Sequence, residues 1–181
     1  MSRICAVADV HGDVSSFYKV RERLETGNIS NLIILGDYSS TIGELQENRD
    51  DIKSIVNIVG ELANIYAVPG NCDAKDVLKV LRSFGISYHN SSVNMGDFTV
   101  FLYGGSNSTP FNTPWEVEEE TIYSDLKALF TDSPDQGPVL LAVHAPPHDT
   151  ACDVIPSGAH VGSVSIRRII EEFRPEYVIC S

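Results

Sequence analysis

Four apolar runs in this chain each break off into a short cluster of polar side chains, and that recurring junction limits the possible folds more than any other feature. Arg3-Ile4-Cys5-Ala6-Val7-Ala8 runs into Asp9-Val10-His11-Gly12-Asp13, and Leu32-Ile33-Ile34-Leu35 runs into Gly36-Asp37. Ile65-Tyr66-Ala67-Val68-Pro69 leads to Gly70-Asn71-Cys72-Asp73, and Val139-Leu140-Leu141-Ala142-Val143 ends on His144. Ligand sites in open α/β sheets lie at the carboxyl ends of strands, so side chains distant in sequence can converge there. Asp9, Asp37, His11, His144 and Asn71 together form an oxygen-and-imidazole ligand set. Such a set suits hard or borderline divalent metals such as Mn²⁺, Fe²⁺, Zn²⁺ or Ni²⁺ and does not suit a thiolate site.

The segments between the runs carry helical spacing. Phe17, Val20, Arg21 and Leu24 predict a first helix stopping near Gly27-Asn28, and Ile52, Ile55, Val56, Val59 and Leu62 predict a second. Val77, Leu78, Leu81 and Phe84 predict a third, ending at Gly85. The pattern then changes. Ser92 to Phe101 holds a turn between two extended runs and reads as a β-hairpin, so the sheet is expected to be mixed. Ile122, Leu126, Leu129 and Phe130 predict a fourth helix, Ile166, Ile169, Ile170 and Phe173 a fifth, and Glu176-Tyr177-Val178-Ile179-Cys180 a last strand. The Gly/Ser/Pro/Asn-rich stretch from Gly104 to Pro114 is too long for a mere connector and is expected to wall a site. The chain reads as one α/β domain over residues 1–181.

Composition narrows the partners. A net charge of -12 repels polyanions, so nucleic acid is not expected as a partner except as a substrate. No apolar run approaches a membrane span, and the four cysteines show no C-x-x-C spacing, which reads most simply as a cytoplasmic protein with reduced thiols. A homo-oligomer is left open.

The order D-V-H-G-D, L-G-D, V-P-G-N-C-D and V-H-A-P-P-H resembles the calcineurin-like metallophosphoesterase superfamily over nearly the whole chain. The Gly-Asn-Cys-Asp variant, and Gly158 to Ser163 before a helix, are similar to small prokaryotic phosphodiesterases and other small members. The resemblance implies a four-layer α/β/β/α sandwich with mixed sheets. It also implies two divalent metal ions, Mn²⁺ favoured, with Fe, Zn or Ni as alternatives. It gives Asp37 the bridging role, places Asp9 and His11 on the first metal and Asn71 and His144 on the second, and makes a metal-bridging hydroxide the nucleophile. Two metals about 3.5–4 Å apart clamp the attacking and leaving oxygens of a phosphoester. Asp9 and His11, two apart, would share one side of an extended backbone. The expected function is a dinuclear-metal phosphodiesterase with a small phosphoester substrate, in which Asp37, Asn71 and His144 carry catalysis. The alternatives are a phosphomonoesterase or protein phosphatase, and a non-catalytic scaffold that retains the fold.

Other residues have blander readings. Asp13 reads as a helix N-cap, and Asn71 alone would read as a turn residue. His148 could orient a ligand, touch phosphate or simply lie on the surface; His160 has a weaker claim, and His89 reads as a strand-edge residue. Cys72 stands where many relatives carry a histidine able to protonate the leaving group, so the general acid is unassigned and Asp73 is expected to orient its neighbours. The last strand reaches Ser181 without the Gly-His-x-His that closes the superfamily's metal set. The expectation is a domain cut short at its C-terminus, with each metal lacking one imidazole.

Overall fold

Strands alternating with amphipathic helices favour parallel crossovers, and the computed structural model, which describes residues 3–132 and 137–181, is built that way. The strands β1 (Ile4–Val7), β2 (Asn31–Ile34) and β3 (Asn64–Ala67) pair in that order as a parallel sheet. Val7 is opposite Ile34 and Ile34 opposite Ala67, so the three strands end flush and their following loops emerge at one edge. A second sheet has the order β4 (Ser91–Asn94), β5 (Thr99–Tyr103), β6 (Val139–Val143), β7 (Tyr177–Ile179). Here β4 and β5 form the expected antiparallel hairpin, while β5, β6 and β7 are parallel. The mixture is confined to this sheet.

Three apolar clusters separate four layers. Leu32 and Ile34 of β2 pack with Phe17 and Leu24 of α1 (Phe17–Gly27), Ile52 and Ile55 of α2 (Leu45–Val59), and Val77, Val80 and Leu81 of α3 (Val77–Ser83). Ile33 and Leu35 turn the other way and meet Val100, Leu102, Leu140 and Ala142 of the second sheet. Phe101, Tyr103, Leu141 and Val143 pack outward on Ile122 and Leu126 of α4 (Glu119–Thr131) and on Ile166 and Ile169 of α5 (Val164–Phe173). Each central strand therefore buries both faces, which is why its sequence is an unbroken apolar run with no visible alternation. This is the α/β/β/α sandwich.

Helix boundaries depart from the periodicity in one informative place. The apolar stripe begins the second helix at Ile52, whereas α2 starts at Leu45 and ends at Val59, leaving Leu62 outside. Its first turns are largely polar and exposed, with Leu45 against the core and Asn48 turned to the site. Asn48, fully buried, donates to Ser39 and Asp73 and accepts from the Ala74 N–H. Asp13 is the N-cap expected of it, ahead of a 3-10 turn over Val14–Ser16, and Asn28 closes α1 in the left-handed conformation.

Candidate metal centre

The loops leaving the flush strand ends hold the candidate residues. Asp9, His11 and Asp37 all adopt positive φ, at 51°, 43° and 55°. Non-glycine residues seldom do so, and such conformations persist where surrounding structure over-determines them, often at functional sites. Asp9 and His11 therefore do not converge through strand alternation, as the extended-backbone argument expects; the chain turns there instead. Hydrogen bonds from the His11 N–H to the Asp37 carbonyl (2.8 Å) and from the Gly12 N–H to the Tyr38 carbonyl (2.9 Å) pin that turn.

Asp37 is almost fully buried. Its Oδ2 lies 3.7 Å from His11 Nε2 and its Oδ1 lies 3.9 Å from His144 Nε2, so the two oxygens face histidines carried by different sheets. Oδ1 also accepts from the Cys72 N–H at 2.8 Å. A Cβ on Gly70 would fall onto this carboxylate, so only glycine lets the third loop approach Asp37. Asp9, Asp37 and His144 each offer a ligand atom, all within 4.8 Å of one another. His11 is about half exposed and reaches the group only through Asp37. Ser181 Oγ donates to Asp9 Oδ2 at 2.6 Å.

The orientation of the second pair is set by its outer contacts. Thr113 Oγ1 donates to Glu116 and accepts from Asn71 Nδ2 at 3.1 Å, which turns Asn71 Oδ1 toward His144. His144 Nδ1 lies 2.6 Å from the Leu35 carbonyl, which can only accept, so Nδ1 carries a proton. In the neutral ring Nε2 is then a lone pair, and it lies 2.7 Å from Asn71 Oδ1. A divalent ion held by both would make ligands of these two atoms beside a carboxylate. A histidine donating its other N–H to a backbone carbonyl is also the usual arrangement around a bound metal. The donor set fits a divalent ion.

Asp73 is the hub beneath this arrangement. It accepts from the N–H groups of Asp37, Tyr38 and Gly70 and from Asn48, and so ties the second and third loops together as an orienting group. Burial pushes its carboxyl up to about 6, against the pull of the N–H donors, so it is ionised at neutral pH. Cys72 is pushed up to about 12, first by burial and then by the charge of Asp37. Its thiol keeps its proton and is not a nucleophile.

The Gly104–Pro114 stretch does wall a site. A cavity of about 250 Å³ adjoins Asp9, Asn71 and His144 and extends to Asn107, Phe111 and Val154. The two later histidines form a separate arrangement. His160 Nδ1 bonds Asp153 Oδ1 at 2.7 Å, and the His148 ring packs on His160 at 5.9 Å between centroids. His89 sits in a turn before β4 and not at a strand edge, where its Nδ1 accepts from the Gly104 N–H at 3.0 Å and its ring packs on Tyr103 and Trp115. Burial lowers it to about 4, so it is neutral. Thr113, the Leu35 carbonyl and Ser181 are site contacts that no motif announces; only the length of the Gly104–Pro114 loop pointed toward Thr113.

A four-layer sandwich with oxygen and imidazole donors gathered at strand ends defines a metal-dependent hydrolase class. The chain belongs to the calcineurin-like phosphoesterase family, whose model matches residues 2–181. It is thereby a metal-dependent phosphoester hydrolase. It is 32% identical over 181 residues to the uncharacterized protein MJ1162 of Methanocaldococcus jannaschii, covering 99% of this chain and 78% of that one. A crystal structure of a Thermus thermophilus protein, TT1561, is similar with a TM-score of 0.75 at 15% identity, covering 98% of this chain and 80% of that chain. A dimetal phosphatase from Danio rerio is similar with a TM-score of 0.64 at 11% identity, covering 98% and 79%. At these identities the two structures speak to the fold alone.

Proposed function

We propose that this protein is a dinuclear-metal phosphodiesterase acting on small phosphoesters, with Asp9, His11, Asp37, Asn71 and His144 as the metal ligands. The observation that carries the reading is the acceptor pair of Asn71 Oδ1 and His144 Nε2, 2.7 Å apart beside Asp37. Bound divalent ions supply positive charge to the phosphoryl group and acidify water into a usable nucleophile. Asp37, whose oxygens face two histidines, is the residue that would serve both ions. Asp9 and His11 would complete one ion's set, Asn71 and His144 the other's. The carboxylate and amide oxygens suit Mn²⁺, the ion we favour, and the imidazoles suit Fe, Zn or Ni as alternatives. That the Danio rerio neighbour is a dimetal phosphatase is consistent with two ions.

The preference for diesters rests on the cavity. No lysine or arginine is among its lining residues, so no side-chain cation offsets the second charge of a monoester dianion. A diester carries one charge and has a second organic group for the cavity to take. Cys72, with its proton held to about 12, is too weak an acid to protonate a leaving group, which favours aryl esters. Both sheets contribute to one site, which supports reading residues 1–181 as one domain. Four free thiols support a reducing compartment such as the cytoplasm.

The test is metal analysis together with hydrolysis of bis(p-nitrophenyl) phosphate and p-nitrophenyl phosphate under a Mn²⁺ titration. Metal-dependent turnover that is faster on the diester is the expected result. Faster monoester turnover would overturn the diester preference, and no turnover of either at saturating Mn²⁺ would favour a scaffold.

A further inference from the structure

Glu116, partly buried on the segment between β5 and α4, gathers three donors on a single oxygen. Its Oε1 accepts from Thr109 Oγ1 at 2.8 Å, and from the N–H and Oγ1 of Thr113, both at 3.0 Å. Burial pushes this carboxyl up, but the bonds from Thr113 and Thr109 outweigh it and hold the group below its ordinary 4.5, so it is ionised at neutral pH. A carboxylate can only accept, so the one hydroxyl proton of Thr113 is committed to Glu116. Thr113 Oγ1 therefore meets Asn71 Nδ2 with its lone pairs, at 3.1 Å. The segment grips Asn71 a second time, because the Trp115 N–H donates to the Asn71 carbonyl at 3.0 Å. Ser106 holds the backbone on both sides of Glu116, accepting from the Val117 N–H at 2.7 Å and donating to the Trp115 carbonyl at 3.2 Å.

Left to themselves, Asn71 and His144 favour the opposite direction of the amide. With Nδ1 protonated toward the Leu35 carbonyl and the ring neutral, Nε2 is a lone pair. Turning the amide over would let Nδ2 donate to it across the 2.7 Å gap, and the two side chains would then be spent on each other. The same turn would set Oδ1 against Thr113 Oγ1, whose proton is on Glu116. Recovering that proton would strip Glu116 of a charge-assisted hydrogen bond, one of the stronger kinds. A carboxylate two hydrogen bonds away thus opposes what the Asn71–His144 pair would otherwise do.

We propose that Glu116 is a positioning residue, which through Thr113 fixes the direction of the Asn71 amide and so keeps Asn71 Oδ1 and the His144 lone pair available to one ion. The inference rests on the metal-ligand reading above and adds a residue from outside the ligand set. Partners that orient a metal ligand typically carry about 10–100-fold in metal affinity. Asp9 and His11 lie outside this relay, so the ion they would hold should be spared.

The test is calorimetric titration of the metal-free protein with Mn²⁺. Thr113→Val and Glu116→Ala should weaken one of the two sites by about 10–100-fold and spare the other. Thr113→Ser should stay close to the wild type, and Glu116→Gln, which keeps an acceptor oxygen, should lose less than Glu116→Ala. Should Glu116→Ala fail to fold, Thr113→Val, which leaves the carboxylate in place, carries the comparison. Unchanged affinity in the folded variants would overturn the relay, while Asn71→Ala reports separately whether the amide is a ligand. Equal losses at both sites would also overturn it, because they would mark a general loosening of the loop. The direction of the amide is read in the metal-free protein by nuclear Overhauser contacts. The Asn71 amide protons should lie against Thr113 in the wild type and against the His144 ring in Glu116→Ala. If the wild type takes up no Mn²⁺, the metal reading fails and this measurement decides the relay alone: a reversed amide keeps it, and the same direction in both proteins overturns it.

Discussion

Asn71 and His144 come from different sheets and meet atom to atom, Oδ1 against Nε2, at 2.7 Å. Thr113 fixes one side chain and the Leu35 carbonyl the other, so neither can rotate to relieve the contact without losing a partner. A cation held by both would resolve the conflict, as would a second proton on the ring. Removing one partner should therefore be felt as lost metal. Asn71→Ala is expected to lower diester turnover at limiting Mn²⁺ by about 100-fold, close to 2.7 kcal/mol, with a weaker half-saturation for metal. Unchanged metal content and turnover in a folded variant would show that the amide is not a ligand.

Asp37 and Asp13 give a controlled contrast. Asp37 is buried with each oxygen facing a different histidine, whereas Asp13 is exposed and bonded to Ser15 and Ser16 as a cap. Asp37→Ala should lose most bound metal and most activity. Asp13→Ala should lower the melting temperature modestly and leave metal stoichiometry intact. Elemental analysis of the two purified proteins decides it, and an Asp37→Ala protein with full metal content would remove the bridging assignment.

Asp73 is a stability determinant beneath the site. Its carboxylate takes three backbone N–H groups and the Asn48 amide in a place with no solvent exposure. Asp73→Ala leaves three buried backbone N–H groups without an acceptor and the Asn48 amide with Ser39 alone, and should cost about 3–5 kcal/mol in urea unfolding. A loss under about 1 kcal/mol would mean that water or a neighbour replaces the carboxylate at little cost.

Cys72 bears on leaving groups. Burial and the adjacent Asp37 charge hold its thiol near 12, so proton donation from it is negligible at neutral pH. Cys72→His should raise the turnover of alkyl diesters more than that of aryl diesters, because aryl oxides depart without acid help. Equal effects on both, with metal content unchanged, would place the missing acid elsewhere.

The His160–Asp153 pair predicts a pH signature in stability. The hydrogen bond that His160 donates to Asp153 raises the histidine above its ordinary 6.5. Desolvation pushes Asp153 upward, but the His160 bond and three backbone N–H groups outweigh it and hold the carboxyl below its ordinary 3.8. The histidine's contribution is fully present below about 6.5 and fades as pH rises through the raised value. The aspartate's contribution is present above about 3.9 and is lost in acid. Melting curves of the wild type and His160→Asn should differ most near pH 5 to 6 and converge by about pH 9. A difference constant across that range would show that the pair is not titrating.

Much of the architecture was legible because strand and helix signals are local. The αL stop at Asn28, the hairpin around Gly96, the five helical stripes and the strand-end clusters all appear in stretches of a dozen residues or fewer. The start of α2 was not legible, because its first turns are mostly exposed and Asn48, buried there, is polar and bonds Asp73, which breaks the apolar periodicity that marks a core-facing helix. The geometry of Asp9 and His11 was likewise hidden. The turn that carries them, with positive φ at both, is tied by hydrogen bonds from His11 and Gly12 to Asp37 and Tyr38 in another loop.

By itself, then, the order of residues determined that clusters of polar side chains follow the strands, since apolar runs and polar junctions are properties of neighbouring residues. Only the tertiary structure decided how they meet. Flush strand ends bring the loops together, Gly70 admits the backbone to Asp37, and Thr113 and Leu35 aim two acceptors at each other. The amide of Asn107 belongs to the same category, because Val161, whose carbonyl accepts from it, lies on a loop far along the chain. Orientation is set by packing and hydrogen bonds between distant segments, and no window of the sequence contains both ends of such a contact.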